Sequence, residues 1–365
     1  MTTSSLFIGL MSGTSMDGVD GVLADFADGS ISTIAAAFIP FSTELRASLM
    51  ALQAAGPDEI LRQAISANNL AVCYAACVEV LKPAADRPIA AIAAHGQTIR
   101  HRPELGFTVQ ANNAALLAEL TGLDVIADLR SRDVAAGGQG APLVPAFHQA
   151  CFAKAGSTRV VVNIGGIANI SVLHADGRVS GCDTGPGNAL MDAWIGRHQG
   201  CDYDADGAWG AAGSVNHDLL ARFLGEPYFA RPAPKSTGRD LFHAAWLDAM
   251  LDQAGPLAAQ YVQATLVALT AHSIADAILE SAHEVEAVYV CGGGAYNSAL
   301  RRALTAALGG KTRVESTAVL GVEPNRVEAL AFAWLGYRFT QREAGNLPAV
   351  TGAKGPRILG ALYPA

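Results

Sequence analysis

A pattern of strand, glycine turn and strand opens the chain and returns near its middle. The apolar segment 6–11 is followed by the turn 12–15 and by a second extended segment, 19–26. The β-branched segment 159–164 is likewise followed by Gly165-Gly166 and by the extended segment 167–174. Strands bounded by glycine turns predict hairpins. One such hairpin in each half predicts a duplicated fold.

Helical and extended segments alternate through the rest of the chain, which predicts α/β architecture. At about 100–200 residues per domain, 365 residues suffice for two domains or one large duplicated domain. The apolar side chains in the tail 345–365 predict an ordered return segment. Helices are expected at 58–81, 111–121, 188–199, 217–224, 241–250, 258–281, 297–308 and 327–342, and further strands at 89–94, 124–127 and 287–291.

The charge pattern excludes several classes of partner. The net charge is −8 and the longest basic run is Arg301-Arg302, so the sequence lacks the cluster of basic residues that would bind nucleic acid. The stretch 254–275 lacks charged residues but contains Pro256 and Gln260, so a buried helix is expected rather than a membrane span. Six cysteines without a Cys-x-x-Cys pair, and no signal-peptide pattern, predict a cytoplasmic protein.

Three glycine-containing loops could hold phosphates or be ordinary turns. The first, 12–18, offers backbone N–H groups, hydroxyls and the Asp17 carboxylate, a set that suits phosphate and Mg²⁺. The second is 163–169, and the third, 291–295, joins a strand to a helix. The third loop is not a dinucleotide fingerprint, because Asn297 stands where the last glycine would be.

Polar side chains also follow several predicted strands. Asp183 lies at a corner after an extended segment, where it could act as a general base or simply cap the turn. His95 and His101 could bind a metal, but ordinary loop histidines are favoured because no third ligand is near. The cluster 235–240 could be a site or a solvated loop, and Glu328 could complement a helix dipole.

Motifs along the whole chain, taken together and in order, resemble those of the anhydro-N-acetylmuramic acid kinase family. They are 9–20, 95–98, 137–145, 163–169, 183–188, 235–239, 292–295 and 350–353. The resemblance implies two ribonuclease-H-like (actin-like ATPase) domains flanking an ATP cleft, as in the sugar kinase, heat-shock protein 70 and actin superfamily. We expect the first domain at 1–132 plus roughly 352–365, and the second at 133–351.

The resemblance also implies an activity. In this family 1,6-anhydro-N-acetylmuramic acid, ATP and water give N-acetylmuramic acid 6-phosphate and ADP, with Mg²⁺ required, in the recycling of cell-wall sugars. A homodimer is expected. The chain departs from the superfamily's sequence pattern at Met11, which occupies the position where the first phosphate motif usually has Asp.

Site residues follow from the resemblance by position. Asp183 would activate water, and Asp17 would face the Mg²⁺. Gln97, Thr98, Arg130 and Glu328 would face the sugar. The residues implied to bind ATP are Gly13, Thr14, Ser15, Met16, Asp17, Gly18, Val19 and Asp20 in the first loop, Asn163, Gly165 and Gly166 in the second, and Gly292, Gly293 and Gly294 in the third.

Two other functions are compatible with such a fold, because fold alone does not determine function. A chaperone-like ATPase clamp would need a peptide-binding domain, and we find no segment after the last predicted helix to supply one. A carbamoyl or acyl transferase of the same superfamily generally uses a metal held by histidines, and no clear histidine pair is present. The sugar kinase is therefore the favoured reading.

Overall fold

A computed structural model describes residues 4–13, 15–233, 235–238 and 241–365. Short 3₁₀ turns connect several of its elements. The strands are β1 (Leu6–Met11), β2 (Gly18–Asp25), β3 (Ser32–Pro40), β4 (Ala91–Ala94), β5 (Gln97–Arg102), β6 (Phe107–Ala111), β7 (Val125–Ala127), β8 (Thr158–Ile164), β9 (Ile167–Leu173), β10 (Val179–Pro186), β11 (Val285–Cys291), β12 (Arg313–Ser316) and β13 (Ala361–Tyr363). The helices are α1 (Thr43–Ala51), α2 (Glu59–Leu81), α3 (Ala114–Thr121), α4 (Ser131–Ala135), α5 (Val144–Phe152), α6 (Ala189–Gln199), α7 (Ala208–Ala211), α8 (His217–Leu224), α9 (Ala244–Asp252), α10 (Ala259–Ser281), α11 (Ser298–Ala307), α12 (Val327–Thr340) and α13 (Pro348–Thr351).

These elements form two units, one of residues 1–151 with 326–365 and one of residues 152–325. The boundaries differ from those expected at 132/133 and 351/352. The first unit keeps α12 because this helix packs on β1 and β2. A side chain at Gly9 of β1 would overlap Ala329 and Ala333 of α12. The unit extends beyond residue 132 because Asp133 bonds to Asn346 near the C-terminus.

The first unit is built on a six-stranded sheet with the order β13-β7-β4-β1-β2-β3. Strands β1, β2 and β3 are antiparallel neighbours, whereas β4 and β7 continue the sheet in parallel with β1. All six residues of β1 are buried, as expected for a central strand covered on both faces. Helices α2 and α3 share a core with β1, β2, β4 and β7.

The second unit repeats this plan with the sheet order β10-β9-β8-β11-β12. Its first three strands are antiparallel, and β11 and β12 continue the sheet in parallel with β8. In both units the first strand therefore lies between the second and fourth of its sheet. The duplicated fold expected from the two hairpins is confirmed, and its plan agrees with the two ribonuclease-H-like domains that the resemblance implies.

Helix α10 forms the centre of the second unit's core. Together with 59–84, it is one of two helices among the described residues that are long and apolar enough to cross a membrane, judged by length and composition alone. The most apolar window of α10 is 83% buried inside the protein, and that of the other helix is 44% buried. The predicted buried helix within 254–275 is confirmed by α10.

Several elements have no counterpart among the predicted segments. Strand β3 and the β5–β6 hairpin were not expected, nor were α5 and the edge strand β13. The segment Ala361–Tyr363 is exposed and too short to show a pattern, and it becomes a strand by pairing with β7. Such strands depend on a partner distant in sequence rather than on local periodicity.

Candidate functional site

The first glycine loop joins β1 to β2, and its open side is bare backbone. A side chain at Gly13 would meet nothing closer than the Ser15 Oγ at 3.9 Å. The Ser15 hydroxyl donates to the Asp17 carboxylate over 2.7 Å, and Asp17 is exposed. Met16 has a left-handed φ of 52°, and its side chain is buried. The expected contact at Thr14 lies outside the described residues.

The last three residues expected in this loop belong to β2 instead. Val19 is fully buried in the core of the first unit, and a side chain at Gly18 would overlap Ile39 and Phe38 of β3. The Asp20 carboxyl has a pKa raised to about 7, first by burial and then by the neighbouring Asp17 charge. Among these three residues, only Asp20 carries a side chain suited to ligand chemistry.

Gln97 and Thr98, expected to face the sugar, begin β5. Gln97 is 1% exposed, and its Nε2 donates to the Gly13 carbonyl oxygen over 3.1 Å. Gln97 thus braces the first glycine loop. The Thr98 hydroxyl accepts a hydrogen bond from Gln110 Nε2 over 3.2 Å.

Arg130 is held from two sides within the first unit. Its Nε donates to His95 Nε2 over 3.0 Å, and its Nη1 donates to the Gly140 carbonyl oxygen over 2.7 Å. Burial, followed by the charge of Arg130, lowers the pKa of His95 to about 3, so this imidazole is a neutral acceptor. The Glu328 charge acts on both Arg130 and Asp20. His95 is therefore a hydrogen-bonded partner of Arg130, as expected of a loop histidine with a satisfied ring nitrogen.

The two glycine loops of the second unit meet at Asn188, the residue after β10 and Gly187. Asn188 N donates to the Gly165 carbonyl oxygen over 2.8 Å, and its Nδ2 donates to the Ile164 carbonyl oxygen over 3.2 Å. A side chain at Gly294 would lie 3.3 Å from Asn188 Oδ1. The fold thus brings together Gly165, Gly166 and Gly292–Gly294. Asn188 belonged to an expected motif but was not expected as a site residue.

Gly165 and Gly293 leave open surface at this junction. A side chain at Gly165 would meet nothing closer than the Ile167 carbonyl oxygen at 3.7 Å, and one at Gly293 would meet Asn188 Nδ2 at 3.6 Å. By contrast, a side chain at Gly187 would overlap the Gly165 carbonyl oxygen. Some of these glycines therefore expose backbone to a ligand, whereas Gly187 permits close packing of the loops.

Asp183 lies within β10, at the point where its pairing with β9 is irregular. Its Oδ2 accepts a hydrogen bond from Thr237 N over 3.1 Å. Burial raises the pKa of this carboxyl to about 6, and the Thr237 bond opposes that change. Its carbonyl oxygen accepts from the Tyr228 hydroxyl over 2.7 Å. Tyr228 was missed because no local pattern distinguishes it from an ordinary core tyrosine.

Comparison with known proteins places this arrangement in a family. Residues 5–365 match the sequence model of anhydro-N-acetylmuramic acid kinase. A protein of that name from Burkholderia thailandensis is 57% identical over 374 residues, which cover 98% of this chain and 97% of that protein. Its namesake from Burkholderia pseudomallei strain 1710b is 55% identical over 377 residues, covering 98% and 97% of the two chains.

Solved structures of other proteins are also similar to this chain. An activator of 2-hydroxyisocaproyl-CoA dehydratase from Clostridium difficile, with bound ADPNP, is 14% identical and covers 94% of this chain and 99% of its own, with a TM-score of 0.47. The family match covers residues 5–365, which is nearly the whole chain. The chain therefore belongs to the anhydro-N-acetylmuramic acid kinase family.

Proposed function

We propose that this protein converts 1,6-anhydro-N-acetylmuramic acid, ATP and water into N-acetylmuramic acid 6-phosphate and ADP, within the recycling of cell-wall sugars. The observation that carries the proposal is the environment of Asp183, a largely buried carboxylate with a pKa of about 6 and a fixed hydrogen bond to Thr237 N. A base with this pKa is mostly ionised near neutral pH and still accepts a proton.

Asp183 takes a proton from a water molecule, and the water oxygen forms a bond to carbon 1 of the sugar. The bond between carbon 1 and oxygen 6 breaks, and its electron pair stays on oxygen 6. That oxygen attacks the γ-phosphorus, and ADP leaves with the electron pair of the broken P–O bond. Each bond formed is balanced by one broken. Water supplies the new hydroxyl at carbon 1, and ATP supplies the phosphoryl group on oxygen 6.

Exposed glycine backbone is the basis for the nucleotide assignment. Gly13 in the first unit, and Gly165 and Gly293 in the second, leave room beside the main chain. Backbone N–H groups in such loops bind phosphate oxygens. The ATP cleft that the resemblance places between the domains stays a prediction, as do the homodimer and the cytoplasmic location.

The residues of the first loop fit Mg²⁺. This ion is usually held by one or two carboxylates, with waters and substrate phosphates as the remaining ligands. Asp17 is exposed, and its charge contributes to the raised pKa of Asp20, so these two carboxyls are close enough to interact. Asp17, with Asp20 beside it, would hold the ion, which when bound neutralises phosphate charge.

The sugar assignment rests on Arg130, whose guanidinium interacts with the charge of Glu328. Burial lowers the pKa of Arg130 to about 10, so its guanidinium remains charged at neutral pH. The muramic acid substrate carries a lactyl carboxylate, and a guanidinium is the side chain best suited to bind a carboxylate. The Nη2 group of Arg130 is the part not used by the bonds to His95 and Gly140.

The decisive experiment uses ¹⁸O-labelled water. We expect the purified protein, given ATP, Mg²⁺ and the anhydro sugar, to form a 6-phosphate sugar with the label at carbon 1 and none in the phosphate, as read by mass spectrometry. Label in the phosphate would mean that water attacks ATP instead. Equal ATP consumption with and without the sugar would favour the alternative function, a chaperone-like ATPase.

A matched pair of glycine substitutions tests the nucleotide site. Gly165→Ala is expected to leave the unfolding temperature unchanged, because its side chain meets only ordinary contacts. It should weaken ATP binding about tenfold, since a methyl group then separates phosphate from backbone. Gly187→Ala should instead lower the unfolding temperature, because its side chain overlaps the Gly165 carbonyl oxygen. Calorimetric titration and thermal unfolding measure the two effects, and unchanged ATP affinity in Gly165→Ala would remove Gly165 from the site.

A further inference from the structure

A segment downstream of β10 contacts Asp183 at three separate atoms. The Tyr228 hydroxyl donates to the Asp183 carbonyl oxygen over 2.7 Å, and Asp183 N donates to the Lys235 carbonyl oxygen over 3.1 Å. Thr237 N donates to the side-chain Oδ2 over 3.1 Å. Both backbone groups and the carboxylate of Asp183 are therefore bound by Tyr228, Lys235 and Thr237.

The position of Asp183 at a sheet edge explains why such contacts are possible. Strand β10 is the outermost strand of its sheet, so one side of its backbone has no neighbouring strand. Its pairing with β9 is also irregular between Asp183 and Gly185. Edge strands leave N–H and C=O groups that need other partners. Tyr228 and Lys235 supply them at Asp183.

Tyr228 is itself rigidly held. Its side chain is 1% exposed, and its ring packs edge-on against Phe229 and Phe242 with centroids 5.8 and 5.7 Å apart. Lys235 Nζ lies 5.1 Å from the centre of the Tyr228 ring and donates to the Phe229 carbonyl oxygen over 2.9 Å. A fixed hydroxyl of this kind can determine where the Asp183 main chain lies.

We propose that Tyr228, Lys235 and Thr237 together position Asp183, in that Tyr228 fixes its main chain and Thr237 N–H orients its carboxylate. We call these three residues the Asp183 clamp. Lys235 holds the clamp together, because its Nζ lies over the Tyr228 ring and donates to the Phe229 carbonyl oxygen. This inference rests on the proposed function, because it gives the clamp a role only if Asp183 acts as the base.

The electrostatic surroundings of Asp183 make the Thr237 bond the feature to test. Burial raises the pKa of the carboxyl, and the Thr237 N–H is the group that opposes the change. Among the described residues, the titratable and charged groups that face this region are Cys182 on β10, Tyr228, Arg231 and Lys235 in or beside the clamp, and Asp276 and Glu280 on α10. Loss of the Thr237 donor should therefore move the pKa of Asp183 upward.

The test compares Thr237→Pro, which lacks the backbone N–H, with Thr237→Ala, which keeps it. We expect Thr237→Pro to raise the pKa of Asp183 by about one unit, as expected for loss of a hydrogen bond to a charged group. Thr237→Ala should retain the wild-type value. Carboxyl ¹³C NMR titration measures this directly, and the Asp183 signal is identified by its absence from Asp183→Asn.

A second variant covers the case in which Thr237→Pro does not fold. Tyr228→Phe removes one hydroxyl from a buried ring, and we expect kcat to fall about tenfold while KM for ATP stays constant, because the base is displaced and the nucleotide loops are not. Its Asp183 pKa should also rise, because a main chain no longer held by the Tyr228 hydroxyl weakens the bond from Thr237 N to the carboxylate. A wild-type Asp183 pKa in either folded variant would overturn the clamp, whatever the activity of that variant. Substantial activity in Asp183→Asn would instead overturn the proposed function.

Discussion

Replacing Asp183 by Asn is expected to reduce sugar-dependent ADP formation about a thousandfold, within the range assigned to loss of a general base. The amide cannot accept the proton of water, but its oxygen can still accept the hydrogen bond from Thr237 N, so the local structure is preserved. Steady-state ADP release measures the loss. Activity within tenfold of wild type would contradict the assignment of Asp183 as the base.

Two controls separate lost chemistry from lost structure. ATP affinity should be unchanged in Asp183→Asn, because the exposed glycines are at other positions. Asp176→Asn provides a matched charge change in the turn before β10, where the carboxylate is exposed and pairs with Arg178. This control should retain wild-type activity.

Asp183→Asn is also expected to stabilise the protein at alkaline pH. The folded-state pKa of Asp183 is about 6, above the ordinary 3.8, so the folded protein holds this proton more tightly than the unfolded chain. The free energy of unfolding therefore falls as pH rises from about 4 to 6. At pH 8, the free energy of unfolding of Asp183→Asn should exceed that of wild type by about 2–3 kcal/mol, and at pH 3.5 the two free energies should be similar. Urea unfolding at both pH values measures the difference.

Asp133→Ala is expected to lower the free energy of unfolding by about 3–5 kcal/mol, because several buried donors lose their acceptor at about 1–3 kcal/mol each. Asp133 is fully buried. Its Oδ2 accepts from Gly140 N over 2.8 Å, and its Oδ1 accepts from Asn346 Nδ2 over 2.6 Å and from the Thr351 hydroxyl over 2.8 Å. The alanine variant leaves three donors without this acceptor, and each unmet buried donor is costly.

Chemical unfolding measures this loss, with Asp86→Ala as the control. The Asp86 side chain is 73% exposed and pairs with its neighbour Arg87, so its removal should cost less than about 1 kcal/mol. The Asp133 variant should also raise KM for the sugar, because Gly140 holds Arg130 through its carbonyl oxygen. A loss below about 1 kcal/mol in Asp133→Ala would mean that the network contributes little to stability.

Much of the fold could be predicted because it depends on local sequence patterns. The glycine-turn hairpins predicted the antiparallel starts of both sheets, and α8 and α10 follow from apolar periodicity and end signals. These features depend on residues close together in the chain. The motif order was sufficient to indicate the family, which the match over residues 5–365 confirms.

The site could be predicted only in part. Asp183, Arg130 and the exposed glycines were expected from motifs, but their partners were not. Val19 and Gly18 were expected at the nucleotide, whereas β2 places Val19 in the core and Gly18 against β3. A motif marks a stretch of chain, but strand pairing decides which of its residues face outward.

The sequence by itself determined the duplicated α/β plan, the family and the candidate acidic residue Asp183, which the structure places within β10. Only the tertiary structure decided where the units divide and what holds Asp183. Tyr228 bonds to Asp183 across 45 residues, and Asp133 bonds to Asn346 across 213. Such contacts have no period or spacing to reveal them, because they form when packing leaves a buried polar group that needs a partner.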